Sequence, residues 1–235
     1  MNSFKSPALF SAVLLGTTLL TSCLFGPTKF ETGLKAFESG AYDNAYAEWT
    51  AADAKDDASA QNGIGWIIEK GLNGPTDPAG AAVWYKKAAL QNHDGAMLNL
   101  GNLYDSGVGV NKDHKIAAKW FADAAFLGNA EAQNNLGRMY QEGHGVEKDL
   151  SKAAEWLERA AQQGFAPAQN SLGLQYFRGL GVPLDVEKAL FWLELATLIG
   201  QEGAELNRDF VQTFVDQDKI EAIKTDATRW YPRKE

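Results

Sequence analysis

Alanine occupies positions 60, 96, 132, 168 and 204, so the same residue returns every 36 positions. A fixed period of roughly 20 to 50 residues restricts a chain to a solenoid or repeat array. Around the first four alanines the rest of a pattern returns as well. An apolar residue and a glycine follow, as Ile64-Gly65, Leu100-Gly101, Leu136-Gly137 and Leu172-Gly173. An aspartate comes next, at Asp77, Asp113, Asp149 and Asp185, then a tryptophan at Trp84, Trp120, Trp156 and Trp192, with alanine behind it at Ala88, Ala124, Ala160 and Ala196. Units of an array bury their apolar faces against their neighbours, so the 235 residues read as one elongated domain.

One period, residues 96–131, predicts a helix pair. Ala96, Leu100, Leu103 and Tyr104 fall on one stripe of a first helix, A, with Gly101 leaving room for a neighbour. The run Ser106-Gly107-Val108-Gly109-Val110 ends it: glycine takes the positive φ of a helix terminus, and the valines are expected to plug the loop into the core. The same punctuation returns as Gly143-His144-Gly145-Val146 and Gly179-Leu180-Gly181-Val182. Asp113 is placed to cap a second helix, B, whose stripe is Ile116, Ala117, Trp120, Phe121 and Ala124 and which stops at Gly128, as later units stop at Gly164 and Gly200. The four tryptophans, constant in place on an alanine-lined face, are assigned to packing rather than to stacking on a ligand.

Residues 132–164, AQNNLGRMYQEGHGVEKDLSKAAEWLERAAQQG, resemble the Sel-one-like repeat, a relative of the tetratricopeptide repeat, almost position for position. The resemblance implies an all-α, right-handed α-solenoid of tandem antiparallel helix pairs. It covers residues 60–203 as four repeats, the first irregular because Asn73-Gly74-Pro75 replaces the glycine loop. Residues 30–59 read as a degenerate N-terminal pair carrying Gly33, Ala36, Phe37, Gly40, Tyr42, Ala45, Trp49 and Ala52. Residues 204–235 read as C-terminal capping helices, with Asp216 placed to cap the last and Ile220, Ile223, Ala227 and Trp230 on its apolar face.

The start of the chain has another character. Lys5 precedes an apolar run over residues 8–20 that is too short for a stable membrane anchor, which is the form of an export signal. It ends Leu20-Thr21-Ser22-Cys23, which resembles the bacterial lipobox. The resemblance implies a signal peptide over residues 1–22, cleavage before Cys23, lipid on that cysteine and a tether over residues 23–29. The alternative is an ordinary secretory signal with an incidental cysteine. Several acyl chains hold a protein on a membrane where a single one is marginal. Leu24, a non-aspartate after the cysteine, resembles the outer-membrane pattern, so the expected location is the bacterial cell envelope, lipid-anchored at the outer membrane and facing the periplasm. Cys23 is the one cysteine of the chain, so an intramolecular disulfide has no partner.

Net charge is −8. That disfavours nucleic acid and suits a basic protein partner, although a solvated acidic surface explains it equally. Residues identical in every repeat answer a demand that every repeat shares, which is packing, so binding is sought where repeats differ. On helix A the third, seventh and tenth positions share a face off the apolar stripe. By resemblance to tetratricopeptide arrays, that face lines a concave groove. It carries Asn62, Asn134 and Asn170, with Leu98 at the same place in the second repeat; Trp66, Asn102, Arg138 and Leu174; and Glu69, Asp105, Gln141 and Phe177. Asn99 and Asn135, one position on, extend the asparagine row. Amides that donate and accept at once suit a peptide backbone, and Trp66 with Arg138 is the expected anchor pair. Two bland alternatives stay open: asparagines that stabilise the array itself, and a Trp66 buried against the irregular first loop.

Catalytic chemistry has no sequence support. His93, His114 and His144 lie in unrelated contexts without metal-ligand spacing, no nucleophile elbow occurs, and the glycine pairs follow helices rather than strands. No cofactor, metal or small-molecule substrate is expected. The expectation is a non-enzymatic lipoprotein that binds a protein or peptide of the bacterial envelope as an adaptor or scaffold. The alternative is an immunity protein neutralising a secreted toxin such as a lipase-type effector, a role some Sel-one-like lipoproteins resemble; an envelope enzyme ranks last.

Overall fold

The computed structural model describes residues 28–51 and 57–232, and the expected signal, Cys23 and most of its tether lie outside them. Among the described residues twelve helices follow one another in tandem pairs, and they divide into two compact units. The first, ending at Gln91, holds α1 (Lys29–Glu38), α2 (Tyr42–Ala51), α3 (Ala58–Lys70) and α4 (Pro78–Ala89). The second, from Asn92, holds α5 (Asp94–Ser106), α6 (His114–Phe126), α7 (Ala130–Glu142), α8 (Leu150–Gln162), α9 (Ala166–Arg178), α10 (Val186–Leu198), α11 (Ala204–Gln212) and α12 (Gln217–Arg229). No described helix is long and apolar enough to cross a membrane.

The recurring aspartates start helix B as their position predicts. The Asp77 carboxylate accepts from the Gly80 amide at 2.9 Å, Asp149 from Lys152 at 3.0 Å and Asp185 from Lys188 at 2.9 Å. Asp113 accepts from both Lys115 and Ile116, satisfying two amides that a helix start leaves unpaired. Asp216 departs from this rule, since its side chain makes no capping bond to α12. It lies beside Lys219, at 3.5 Å, and is held by that charge instead. The apolar face of α12 is as expected, with Ile220 and Ala227 each 2% exposed and Ile223 and Trp230 half-buried.

What closes each pair is the glycine of helix A facing the residue after the repeated tryptophan. A methyl group on Gly101 would stand 2.6 Å from the Phe121 ring, one on Gly65 2.7 Å from Tyr85, and one on Gly173 2.7 Å from Leu193. Tyr85, Phe121 and Leu193 are fully buried and Leu157 is 1% exposed. The N-terminal pair uses the same joint, Gly33 lying against the indole of Trp49. The tryptophans themselves sit one residue, about 100° of helix, away from that joint. Trp156 and Trp192 are buried, whereas Trp84 and Trp120 are only half-buried, and the Lys87 and Arg159 charges lie over the rings of Trp84 and Trp156. The assignment to packing therefore needs correcting in degree: the deepest position of helix B is the next one along.

Within the second unit each B helix also packs on the following A helix, α6 on α7, α8 on α9 and α10 on α11. Buried glutamines staple these contacts. Gln133 donates to the Ala125 carbonyl at 3.2 Å and Gln169 to that of Ala161 at 3.2 Å, while Gln163 donates to Gln133 at 2.9 Å and to the Gly128 carbonyl at 3.0 Å. The first unit repeats the device, with Gln91 donating to Gln61 at 2.9 Å. The loop valines are less uniform than expected. Val182 packs on the core of the second unit and its equivalent Val110 is half-buried, but Val108 is 47% exposed.

Candidate functional site

The expected groove positions of the second unit lie on consecutive A helices, and their side chains join one helix to the next. Asn135 of α7 donates to Asn102 of α5 at 3.4 Å; Arg138 of α7 donates to Asp105 of α5 at 2.7 Å; Gln175 of α9 donates to Gln141 of α7 at 3.5 Å. Asn207 of α11 donates to Asn170 of α9 at 2.8 Å. Asn99 and Asn134 are half-buried on α5 and α7. The residues thus form a cross-helix polar ladder. An amide carries more donor and acceptor sites than one hydrogen bond uses, so such a ladder can both tie the repeats and present polar groups at a surface.

Gln175 also departs from its repeat position. Ile67, Leu103 and Met139 fill the equivalent place in the core, whereas Gln175 is 3% exposed and its Oε1 has no hydrogen-bond partner. A buried acceptor left so costs about 1–3 kcal/mol.

Arg138 is committed within the fold. Its Nη2 donates to Asp105 and its Nη1 to Glu142 Oε2 at 3.1 Å. Each carboxylate meets a histidine in turn: His114 Nδ1 lies 2.8 Å from Asp105 and His144 Nδ1 2.9 Å from Glu142. The two imidazoles stack with centroids 4.9 Å apart. Burial is the largest influence on Asp105 and pushes its carboxyl upward, but the hydrogen bond and charge of Arg138, then those of His114, together hold it below the usual carboxylate range. The sequence places His114 at a helix start and His144 in a loop as unrelated residues. The fold brings them together because the loop after α7 packs across the start of α6, with Gly145 against the His114 carbonyl. His93 has a different task, its Nδ1 accepting from the Ala96 amide at 3.1 Å as the cap of α5. Among the described residues no group of three or more histidines and carboxylates is arranged to hold a metal ion.

Two expected anchors belong to the first unit and are structural there. Trp66 is half-buried, packing edge-on against Phe37 at 5.1 Å and near Tyr42 at 6.2 Å, against the apolar cluster of the first unit. Asn62 is 2% exposed, so a partner could not reach its amide without opening the fold. The expected open face is closed at Asn62 and narrowed at Trp66, where Phe37 and Tyr42 of the irregular N-terminal pair pack on the indole.

Phe177 of α9 is half-buried and meets Phe214 at 5.2 Å and Phe210 at 5.6 Å. Phe210 and Phe214 were not among the expected residues. Phe210 occupies the seventh position counted from Ala204, so extending the repeat count one unit further would have found it. Beneath them, Glu194 of α10 is 6% exposed, with Arg208 Nη1 at 3.8 Å. Burial, the largest influence, raises its carboxyl above the ordinary range against the opposing charge of Arg208.

Tandem helix pairs with a repeated glycine joint and a variable polar face define a helical-repeat protein. The Sel1 repeat model matches residues 58–93, 95–129, 130–165 and 166–200, and the chain belongs to that family. Among solved structures it is similar to a Sel1 repeat protein from Oxalobacter formigenes, at 29% identity and a TM-score of 0.76, over 87% of this chain and 83% of that one. It is also similar to c5321, a protective antigen of uropathogenic Escherichia coli with this repeat fold, at 28% identity and TM-score 0.54, over 81% of this chain and 50% of that one. Immunity protein Pa5087 of Pseudomonas aeruginosa shares the fold, at 18% identity and TM-score 0.51, over 83% of each chain. No curated protein matches the sequence.

Proposed function

We propose that the chain is a non-enzymatic, lipid-anchored protein of the bacterial envelope that binds another protein across the A-helix face of its second unit, as an adaptor or scaffold. The observation that supports this most is the polar ladder: Asn102, Asn135, Gln141 and Asn170, drawn from successive helices, share bonds along one face. Packing alone calls for apolar contacts here, whereas a row of amides matches the donors and acceptors of a peptide backbone. The test is capture of partners from envelope extracts by the lipid-free chain, compared with the triple variant Asn102→Ala, Asn134→Ala, Gln141→Ala. Truncating contact residues typically costs about 1 kcal/mol or more each where they matter. The expected result is at least tenfold less of the main partner from a variant that circular dichroism shows to be folded at the capture temperature, and equal capture by both chains overturns the reading.

Anchoring rests on Leu20-Thr21-Ser22-Cys23 and the apolar run before it. With Cys23→Ala the protein should no longer take up labelled fatty acid; continued uptake excludes Cys23 as the attachment point. The immunity reading is a narrower form of the same proposal in which the partner is a toxin. Its support is the net charge of −8, which suits a basic surface. Likeness to Pa5087 adds the shared fold alone.

A further inference from the structure

Helix α11 is apolar on two sides where one would suffice. Its inner side is satisfied: Ala204 and Val211 are fully buried and Val215, just past its end, is 8% exposed. On its other side Leu206 is 76% exposed, Phe210 57% and, beyond the helix end, Phe214 54%. These three recur at intervals of four residues and so make one stripe. Phe210 and Phe214 meet each other at 5.3 Å and both meet Phe177 of α9, so these three rings form one aromatic cluster, with Leu206 one turn before it.

The surrounding charge is one-sided. Around the stripe five carboxylates, Glu202, Glu205, Asp209, Asp216 and Asp218, stand against two cations, Arg208 and Lys219, the latter 3.5 Å from Asp216. Arg208 is already engaged, its guanidinium lying 2.6 Å from Asp209, 3.5 Å from Glu205 and 3.8 Å from the buried Glu194. The Glu205 side chain remains 74% exposed, that of Asp209 59% and that of Asp216 76%. An apolar stripe rimmed by exposed carboxylates is complementary to a segment that is apolar on one face and cationic on its edges. It disfavours a second copy of a chain carrying −8, and an anionic lipid surface, since both would set like charges against the rim.

We infer that Leu206, Phe210 and Phe214, with Phe177 behind them, form the docking surface for a basic amphipathic segment of another protein. The inference rests on the protein-binding reading above and places its strongest contact at α11. Large aromatics in contact with one another and open to solvent are the side chains that carry most binding energy once a partner excludes water from them. The carboxylate rim sets partner choice and speeds encounter.

The test is fluorescence anisotropy with the purified full chain and two labelled synthetic helical peptides, identical in their leucine and phenylalanine positions and flanked by lysine in one and glutamate in the other. The lysine peptide should bind, and the glutamate peptide should bind at least tenfold more weakly. Raising salt from about 50 to about 500 mM, which shortens the screening length severalfold, should weaken the lysine complex. The double variant Phe210→Ser, Phe214→Ser should weaken it tenfold or more, and Glu205→Lys with Asp209→Lys should weaken it while leaving the aromatic surface in place. Equal binding of the two peptides, or unchanged affinity in the serine variant, overturns the assignment. So does a concentration-dependent dimer that the serine variant abolishes, which would make a second copy the occupant. If the alanine variant of the ladder loses its envelope partner while the serine variant keeps it, this surface is excluded and the wider reading stands. Loss in neither variant excludes both.

Discussion

Phe121→Ala is expected to destabilise the second unit by about 3–5 kcal/mol, the range for truncating a fully buried aromatic side chain. Phe121 is fully buried and lies directly on the backbone of α5 at Gly101, so its loss empties the joint between the two helices of a repeat. The neighbouring pairs are built on the same contact, and a solenoid passes such a loss along because each repeat is stabilised by the next. Gly101→Ala attacks the joint from the other side. Its new methyl would stand 2.6 Å from the ring, and α5 and α6 would have to separate, at about 1–3 kcal/mol. Helix propensity alone would make the same change stabilising by about 1 kcal/mol, so the sign of the effect decides whether the close approach is real. Urea denaturation followed by circular dichroism measures both, and a cost below about 1 kcal/mol for Phe121→Ala would show that this joint does not hold the pair.

The fold was legible because repetition multiplies a weak signal. One glycine on one helix face has many explanations, but Gly65, Gly101, Gly137 and Gly173 at equal spacing share a single one, the approach of helix B. Finer placement followed the loudest residue rather than the deepest. Tryptophan dominates helix B by size and constancy, yet in the regular repeats it is not the residue that meets the helical glycine. That place takes tyrosine, phenylalanine or leucine one position later. The glutamine staples were visible as Gln61, Gln133 and Gln169, spaced in multiples of the period, but a surface amide and a buried one look alike in sequence.

The candidate site was legible in proportion to the regularity of its surroundings. In the second unit the third, fourth, seventh and tenth positions of the A helices do come together, because regular neighbours keep the face constant. At Trp66 the count misses its surroundings, since Phe37 and Tyr42, which pack on the indole, come from a pair too degenerate for its faces to be read, and Asn62 of the same helix is buried. Arg138 shows a second limit. Its two carboxylate partners lie 33 residues before and four residues after it, and only the first of these distances approximates the repeat. The stacked histidines follow from a loop crossing an earlier helix start, a contact with no periodic trace in the sequence.

That loop crossing carries the other large prediction. Gly181→Ala is expected to cost about 2–5 kcal/mol, from left-handed backbone strain of about 1–2 kcal/mol and the overpacking that follows. Gly181 has φ +76, and a methyl group there would overlap the Leu150 carbonyl oxygen at the start of α8. Backbone cannot turn aside as a side chain can, so the loop after α9 would have to lift off the preceding repeat. Gly200→Ala supplies the control. Its φ is +81 but nothing lies within 4 Å of the added methyl, so it bears the backbone strain alone, about 1–2 kcal/mol. The difference between the two variants isolates the contact between loop and helix start. If it is real, Gly181, and by the same geometry Gly145 against His114, are stacking elements between repeats, and the first glycine of the pair, such as Gly179 with φ +65, is the helix cap. Equal losses of stability in the two variants, measured by urea denaturation, would reduce both glycines of the motif to turn formers.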